Sequence, residues 1–357
     1  MRLPKVKPEH AAYRLADGRI RIGGEIYGLA HEIEDPHGWV WAAVTAMDGT
    51  RTAPEIVELI CARFPDLSPQ TAAALVDQLI GSGHVEDAGA TPPEEFSARE
   101  RERYDRSHAF LRWIDLTPRE HGWEAQIRLR RAKVLLVGLG STGCAAAWAL
   151  AASGVGTLHC VDFDTVELSN LNRQILFTER DIGRLKSEAA VERLRQVNSD
   201  IVITAANLRV TSQEEMLDLV AGFDLVVLCA DEPRGPDGIR IWTDRACRKT
   251  GIPWVGGGYH GPLITVGTYV LGLGPCYECV QRTADLHRER PDAPIDLGGP
   301  GVMAASGGIS GLLAAHAAIR VLTRVPELTS TIIHGLNLIA PDHHVYAEYD
   351  DAVGCVH

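Results

Sequence analysis

A glycine-rich turn between an apolar strand-like run and a helix-like run limits the fold of this chain more than any other feature. Lys133–Val137 is typical of a buried strand, and residues 144–152 are typical of a helix. The turn between them contains Gly138, Gly140 and Gly143. Glycine permits a tight turn and a close approach of backbone to phosphate, and a helix N-terminus attracts negative charge. The pattern predicts a nucleotide-binding α/β fold.

Strand-like and helix-like segments continue to alternate after this turn. Alternation of this kind predicts a Rossmann-like, mostly parallel sheet with helices on both faces and with ligands at the carboxyl ends of its strands. The segments predicted as strands are Thr157–Val161, 201–206, 224–229 and 252–255, and a long amphipathic helix is predicted over 182–198.

Residues 1–92 follow a different pattern and form a predicted domain of their own. A hairpin is indicated by the turns at Asp17-Gly18 and Gly23-Gly24, and three helices and a short strand follow it. Proline in the first turn after Thr52 and after Ser68 marks two helix starts. The order predicts a small winged-helix domain, with residues 93–357 forming the α/β domain.

Charge argues against nucleic-acid binding. The 357 residues include 35 Lys/Arg and 47 Asp/Glu. Residues 1–92 alone include 8 Lys/Arg and 13 Asp/Glu, so the net charge of this segment is −5. Proteins that bind nucleic-acid backbones neutralise phosphates with positive charge, so we expect no nucleic-acid partner. The strand edge of a winged helix can instead accept an extended peptide through main-chain hydrogen bonds. A structural or dimerisation role is the alternative for this domain.

The N-terminus and one long apolar segment indicate the cellular location of the protein. No apolar run follows the basic residues near Met1, which predicts a cytoplasmic protein without a signal peptide. Residues 297–319 lack Asp, Glu, Lys and Arg over a length that could cross a bilayer. Six of these residues are glycine and His316 lies among them, so we expect a helix buried in protein and no membrane association.

Charged residues at successive strand ends distinguish two kinds of nucleotide. Asp162 ends the second strand, where an acid can bind a ribose hydroxyl, and this fits NAD as well as ATP. Arg173, Lys186 and Asp231 follow. A triphosphate carries more negative charge than a dinucleotide and needs basic residues and a carboxylate-bound Mg²⁺. The set therefore favours ATP, although each residue alone is typical of a surface ion pair or a helix cap.

Segments in this order and spacing resemble the ubiquitin-activating-enzyme superfamily, in its ThiF/MoeB/HesA branch. The matching segments are KVLLVGLGSTGC, DFDTVELSNLNRQILF, GRLKSEAAVERL, DLVVLCADE and GPCYECV. The resemblance implies an enzyme that adenylates a carboxylate with ATP and Mg²⁺ and releases pyrophosphate. It also implies a homodimer.

The resemblance assigns roles to individual residues. Asp162 would hold the ribose, Asp164 would support the loop or the metal, and Asp231 would coordinate Mg²⁺. The catalytic residues would be Arg173, Lys186, Asp231 and Arg106, the last reaching the ATP of the partner subunit from the segment RYDRS. The implied nucleotide-binding set is Gly138, Gly140, Ser141, Gly143, Asp162, Asp164, Asn170, Arg173, Gln174, Lys186 and Asp231.

A C-x-x-C at Cys276 and Cys279 is half of a tetrahedral zinc site. The family's usual second half is another C-x-x-C, whereas this chain offers Cys355 and His357. A structural Zn²⁺ bound by these four residues is the prediction, and a redox disulfide is the alternative. Residues 280–300 contain no cysteine, which argues against a thioester intermediate in the loop where relatives often form one.

The N-terminal segments resemble the PqqD-type recognition domain of ribosomal-peptide maturation systems. The resemblance rests on GRIRIGGEIYGLAHEIEDPHGWVWAAVTAMDGTRTAPEIVELI, FPDLS and GSGHVEDAG, and it implies a domain that grips a leader peptide. Together the two resemblances predict adenylation of a C-terminal or side-chain carboxylate on a ribosomal precursor peptide. The alternatives are adenylation of a small sulfur-carrier protein for molybdopterin or thiamin synthesis, and a non-catalytic protein that delivers peptide to a cyclase.

Overall fold

The protein folds as two compact units, Met1–Ile127 and Arg128–His357. The computed structural model describes residues 1–91, 93–235, 237–286, 301–340, 342–349 and 355. His357 and most of the segment 280–300 lie outside the described residues.

The first unit contains two small sheets and a set of helices. Its strands are β1 (Pro4–Val6), β2 (Tyr13–Arg14), β3 (Ile20–Ile22), β4 (His31–Ile33) and β5 (Val85–Asp87). Its helices are α1 (Trp39–Ala46), α2 (Ala53–Arg63), α3 (Pro69–Gly81) and α4 (Ala98–Ile114), and the division between the units falls within α5 (Glu124–Arg131). A short 3-10 helix spans Pro8–His10. Strands β2, β3 and β4 form an antiparallel sheet in that order, and β1 pairs with β5.

The helix starts predicted from the sequence are confirmed. Thr52 and Glu55 cap α2 reciprocally, each side chain bonding the other residue's backbone N–H. The Ser68 side chain accepts a hydrogen bond from the Thr71 N–H at the start of α3. Caps of this kind satisfy backbone donors that the first helical turn leaves unpaired. The three helices bury an apolar core formed with Ile20 and Val85.

The first unit continues beyond residue 92, where the sequence placed the domain boundary. The Lys7 ammonium, only 6% exposed, donates hydrogen bonds to the carbonyl oxygens of Arg112 (3.0 Å) and Asp115 (2.7 Å). Arg112 also forms ion pairs with Glu9 and Glu86. These contacts tie α4 to the N-terminal strand, so α4 belongs to the same compact unit. Sequence patterning gave no sign of them because the partners lie outside the range of local periodicity, and those of Lys7 and Glu9 are more than 100 residues away.

The second unit is an α/β layer structure. Its strands are β6 (Lys133–Val137), β7 (Thr157–Val161), β8 (Val202–Ala206), β9 (Leu225–Leu228), β10 (Trp254–His260), β11 (Leu263–Tyr269), β12 (Thr331–Asn337) and β13 (His344–Tyr349). Its helices are α6 (Ser141–Ser153), α7 (Lys186–Val197), α8 (Gln213–Val220), α9 (Ile239–Thr250), α10 (Tyr277–Leu286) and α11 (Ala304–Thr323). Two 3-10 helices span Leu168–Asn170 and Glu179–Asp181.

The eight strands of the second unit form one sheet in the order β13-β12-β11-β10-β9-β6-β7-β8. Strands β10, β9, β6, β7 and β8 run parallel to one another, and β11, β12 and β13 extend the sheet by antiparallel pairing. The predicted Rossmann-like α/β class is therefore confirmed. Because parallel strands end at the same edge, the loops after β6, β7 and β9 meet there.

The predicted long helix over 182–198 begins later than expected, at Lys186. The residues just before Lys186 are not helical, and their backbone forms hydrogen bonds with the segment after β7. Val166 N–H donates to the Arg184 carbonyl (2.8 Å), and Lys186 N–H donates to the Asp164 carbonyl (2.9 Å). The amphipathic pattern could not reveal this, because Ile182 and Leu185 continue the apolar spacing of the helix although they precede its first residue.

Helix α11 packs directly on α6 through small residues. A Cβ on Gly311 would lie 2.2 Å from the Thr142 carbonyl oxygen, and a Cβ on Gly307 would lie 1.7 Å from the Ser141 hydroxyl. The predicted helix in this region is confirmed, with Ser310, Ala314 and other residues buried. Within the described part of the chain, α11 is also the one helix with the length and apolarity of a membrane span.

We predict that Gly311→Ala lowers the melting temperature, because overpacking of a close helix contact costs about 1–3 kcal/mol. Gly308→Ala is the matched control on the same helix, since no heavy atom lies within 4 Å of its added Cβ. Alanine is favoured over glycine in helices by about 1 kcal/mol, so the control should be as stable as the parent or more so. Thermal unfolding measures both; equal melting temperatures for the two variants would refute the close packing of α6 and α11.

Candidate nucleotide-binding site

The glycine loop after β6 requires glycine at two of its three predicted positions. Gly138 has φ +94°, and an added Cβ would lie 2.9 Å from the Ala230 nitrogen. A Cβ on Gly143 would lie 1.8 Å from the Gly138 carbonyl oxygen. Gly140 is the N-cap of α6 and has open space beside it. The loop therefore presents the N-terminus of a helix to an open space, an arrangement suited to phosphate.

The Asp162 carboxylate holds this loop in place. It is 8% exposed; its Oδ2 accepts a hydrogen bond from Leu139 N–H (2.6 Å) and its Oδ1 accepts one from Asp164 N–H (2.9 Å). Each carboxylate oxygen has a second lone pair, so the group retains capacity for a ribose hydroxyl. The residue predicted to bind ribose thus also connects the two loops that frame the pocket.

Lys186 lies at the start of α7 and bonds to Asp164. Its ammonium donates to Asp164 Oδ2 at 2.9 Å; the lysine side chain is 6% exposed and the aspartate side chain 48%. A buried ammonium that a nearby carboxylate neutralises is stable without ligand. Phosphate oxygens have the charge needed to share or replace that partner.

The turn after β7 brings together the other predicted phosphate ligands. Asn170 is 7% exposed, and its Oδ1 accepts a bond from Glu167 N–H at 3.1 Å, so its side chain stabilises the turn. The Arg173 guanidinium donates to the Ser169 carbonyl (2.7 Å). Ser141 donates its hydroxyl to the Arg173 carbonyl (3.1 Å), so its side chain braces this turn. Gln174 is buried, and its Oε1 has no partner among the described residues.

Asp231 follows β9 and forms an ion pair that the sequence did not predict. Its Oδ1 accepts a hydrogen bond from Arg240 Nη2 at 2.7 Å, while the side chain stays 43% exposed. The same Arg240 nitrogen donates to the Gly257 carbonyl (3.3 Å). A Cβ at position 258 would lie 2.9 Å from Arg240 Nη2, so a larger residue there would displace the guanidinium. Carboxylate oxygen is a preferred Mg²⁺ ligand, so Asp231 fits the predicted metal.

Tyr259 lies near Arg173 and Asp231 and was also missed by sequence reasoning. Burial raises the pKa of its hydroxyl, Arg173 lowers it by charge and by a hydrogen bond, and Asp231 raises it. The tyrosine therefore lies beside both charged residues, at the end of β10. A tyrosine near the end of a strand carries no motif, so only its neighbours identify it.

Arg106 lies in the first unit, on α4. Its side chain is 96% exposed, and its guanidinium is 3.7 Å from the neighbouring Asp105 carboxylate. Such a side chain is available to another molecule, as the predicted role in a partner subunit requires.

Three of the four predicted zinc ligands lie together. The ligand atoms of Cys276, Cys279 and Cys355 are all within 4.8 Å of one another. Two sulfur atoms bound to one tetrahedral zinc, each at about 2.3 Å, are about 3.8 Å apart, so the three ligand atoms need only a small approach to share an ion. The Cys276 N–H donates to Cys355 Sγ (3.0 Å), and burial raises the pKa of the Cys276 thiol. The donor set fits a zinc ion, with the fourth predicted ligand, His357, outside the described residues.

The fold and the loop with its strand-end acid define a nucleotide-binding α/β protein of Rossmann-like class. Comparison with known proteins then identifies the family. The ThiF family model matches residues 114–347, and the chain belongs to this family. The molybdopterin-synthase adenylyltransferase of Salmonella typhimurium is 37% identical over 239 residues, which are 66% of this chain and 88% of that protein. The protein is therefore an adenylyltransferase of the ThiF family, and ATP is its expected substrate.

Two solved structures match nearly the whole chain. The crystal structure of E. coli MccB has a TM-score of 0.77 and 22% identity, covering 97% of this chain and 93% of that one. The structure of PaaA has a TM-score of 0.68 and 26% identity, and the match covers 96% of this chain and 99% of PaaA. MccB, a Microcin C7 biosynthetic enzyme, has been solved with ATP and with N-formylated MccA.

We predict that protein purified under reducing conditions contains about one zinc per chain. The double variant Cys276→Ser/Cys279→Ser should lose the metal, because serine is a poor zinc ligand. Cys61→Ser, in the first unit, is the control and should retain it. Elemental analysis gives the zinc content; a metal-free parent protein would contradict the assignment.

Proposed function

We propose that this enzyme adenylates a carboxylate on a ribosomally synthesised precursor peptide, with ATP and Mg²⁺, and releases pyrophosphate. The observation that carries the proposal is the combination of two parts in one chain. Lys186, Asp231 and the glycine loop all follow parallel strands of the sheet in the second unit, and they supply the charges that a triphosphate needs. Residues 1–113 lie outside the ThiF family model, whereas the match with MccB covers 97% of the chain.

The pocket supports the nucleotide half of this proposal. The glycine loop and the helix N-terminus would receive phosphate, Lys186 would neutralise it, and Asp162 would bind the ribose. Asp231 would hold Mg²⁺, since among the described residues only its Oδ1 is engaged, by Arg240. Arg173 and Tyr259 would be further polar side chains lining the nucleotide site. Arg106 would come from a second copy of the chain, in a homodimer.

The first unit supports the peptide half. Strand β4 is an edge strand of its sheet, and His31 and Glu32 on it are exposed. A groove of about 300 Å³ continues beside it, lined by Glu34, Asp35, Pro36, His37, Trp39, Val40, Thr71, Ala74, Leu75 and Gln78. An extended leader peptide can add as a strand to such an edge and place its next side chains in such a groove.

Cysteine chemistry argues against transfer of the acyl group to the buried thiols of the second unit. Residues 280–300 contain no cysteine. Burial raises the pKa of Cys160 and of Cys229 to about 12, and it also raises the pKa of Cys144 and Cys247. A thiol that stays protonated is a poor nucleophile. The acyl-adenylate would then be consumed by a nitrogen of the peptide, a second substrate or another enzyme.

A second candidate function is adenylation of a small sulfur-carrier protein. The favouring observation is the 37–38% identity with two molybdopterin-synthase adenylyltransferases. Those alignments cover about two thirds of this chain, so they leave the peptide-binding role of the first unit without a counterpart. A short peptide gene beside this gene would favour the first proposal, and a sulfur-carrier gene would favour the second.

We predict that Asp231→Ala lowers the rate of ATP–pyrophosphate exchange at least 100-fold, because the Mg²⁺ ion on the triphosphate would lose its carboxylate ligand. Asp218→Ala is the control, since Asp218 is an exposed acid on α8. Exchange is measured with radiolabelled pyrophosphate and the candidate peptide. Near-normal exchange by the Asp231 variant would reject its assignment as the metal ligand.

We predict that Ala74→Arg weakens binding of the candidate precursor peptide at least tenfold while leaving ATP affinity unchanged. Ala74 is exposed and lines the groove, so arginine there would fill the space without disturbing the core. Asp77→Arg introduces the same side chain at an exposed position of the same helix outside the groove lining. Fluorescence anisotropy with a labelled peptide compares them; equal affinities would place the peptide elsewhere.

A further inference from the structure

Helix α9 presents a row of charged side chains toward two different sites. Arg240, Asp244 and Arg248 are spaced four residues apart, so they share one face of the helix. The first contacts the nucleotide pocket, and the other two contact the segment that carries the C-x-x-C. The helix therefore supports both sites with one rigid element.

At its first turn, α9 holds the proposed Mg²⁺ ligand. Arg240 Nη2 lies 2.7 Å from Asp231 Oδ1 and 3.3 Å from the Gly257 carbonyl oxygen. The carboxylate and the strand β10 thus share one guanidinium nitrogen. A shift of α9 would move the carboxylate that faces the phosphates.

One turn later, α9 holds the two residues between the cysteines. Asp244 is 1% exposed; its Oδ1 accepts hydrogen bonds from Tyr277 N–H (3.0 Å) and Trp254 Nε1 (3.2 Å), and its Oδ2 accepts one from Glu278 N–H (3.3 Å). A buried carboxylate with three donors orders the backbone that it binds. This backbone lies directly between Cys276 and Cys279.

Further contacts strengthen the same connection. Glu278 accepts hydrogen bonds from Arg245 Nη2 (2.9 Å) and Arg248 Nη2 (3.4 Å), both on α9. The Tyr277 ring packs on Trp254, with ring centroids 5.6 Å apart. The residues that a bound metal would immobilise are therefore bonded at several points to α9.

We propose that α9 couples the cysteine cluster energetically to the nucleotide pocket, so that Zn²⁺ and Mg²⁺-ATP each bind more tightly when the other is present. Arg240 and Asp244 are the positioning residues, one at each site. This inference rests on the proposed nucleotide site and on zinc as the ligand of the cluster. Coupling is reciprocal by thermodynamic necessity, so each ligand must change the affinity of the other by the same factor.

The experiment uses the full chain, Zn²⁺, and the non-hydrolysable analogue AMPCPP with Mg²⁺. Chelator competition gives the zinc affinity with and without the analogue, and calorimetry gives the analogue's affinity with and without zinc. Each ligand's affinity in the presence of the other, divided by its affinity alone, gives a coupling ratio. We expect the two ratios to be equal and at least about five, the lower end of common allosteric coupling. A ratio of one, or a chain that binds no zinc, overturns the proposal.

Three variants separate coupling from simple destabilisation. Arg240→Gln should leave zinc affinity without nucleotide unchanged and reduce the ratio to about one. Asp244→Asn should weaken zinc binding itself, and Asp218→Asn should behave like the parent. A full ratio in the Arg240 variant would also overturn the proposal. Because none of these measurements requires turnover, a failure of coupling is distinct from a failure of adenylation, which ATP–pyrophosphate exchange detects separately.

Discussion

The proposed nucleotide site depends on the two hydrogen bonds that the Asp162 carboxylate accepts from the backbone N–H groups of Leu139 and Asp164. One bond fixes the glycine loop after β6, and the other fixes the segment after β7. Asp164 in turn bonds to Lys186 through both its side chain and its backbone. A single buried carboxylate thus sets the relative position of the loop, the acid and the lysine. Preorganisation of this kind lowers the cost of ordering charged groups around a polyphosphate.

Small residues allow the elements of the second unit to approach closely around this pocket. Helix α11 contacts α6 where Gly307 and Gly311 face Ser141 and Thr142. Ser141, braced between Gly307 and the turn at Arg173, has its hydroxyl engaged within the protein. Its hydroxyl stabilises the turn at Arg173, and its predicted role in nucleotide binding stays a prediction.

The two units are stabilised by different kinds of interaction. The second unit buries continuous apolar strands on both faces of a large sheet. The first unit is smaller and relies on polar connections, including the buried Lys7 and the ion pairs of Arg112. Membership of the ThiF family accounts for the second unit. The first unit lies largely outside the family model, and we propose its edge strand and groove as the binding site of a peptide.

The sequence predicted β6 and β7 to the residue and β8 and β9 to within one residue at each end, because buried parallel strands appear as short apolar runs between turns. Strand β10 was predicted over 252–255 but spans Trp254–His260, since its glycine-rich second half has no apolar pattern. It also brought Cys276 and Cys279 together with the distant Cys355, by chemical type. It did not predict the antiparallel strands β11–β13, whose pairing depends on neighbours far along the chain. The same is true of Arg240 and Tyr259, which no motif marks.

Local chemistry, in the form of glycine turns, helix caps and strand-end acids, therefore determined the fold class and the general location of the site. Tertiary structure alone decided which side chains meet there, that α4 belongs with the first unit, and that Asp231 has an arginine partner. The reason is physical: hydrophobic periodicity and turn propensity act over a few residues, whereas ion pairs and hydrogen bonds between distant segments form only once the backbone has placed them side by side.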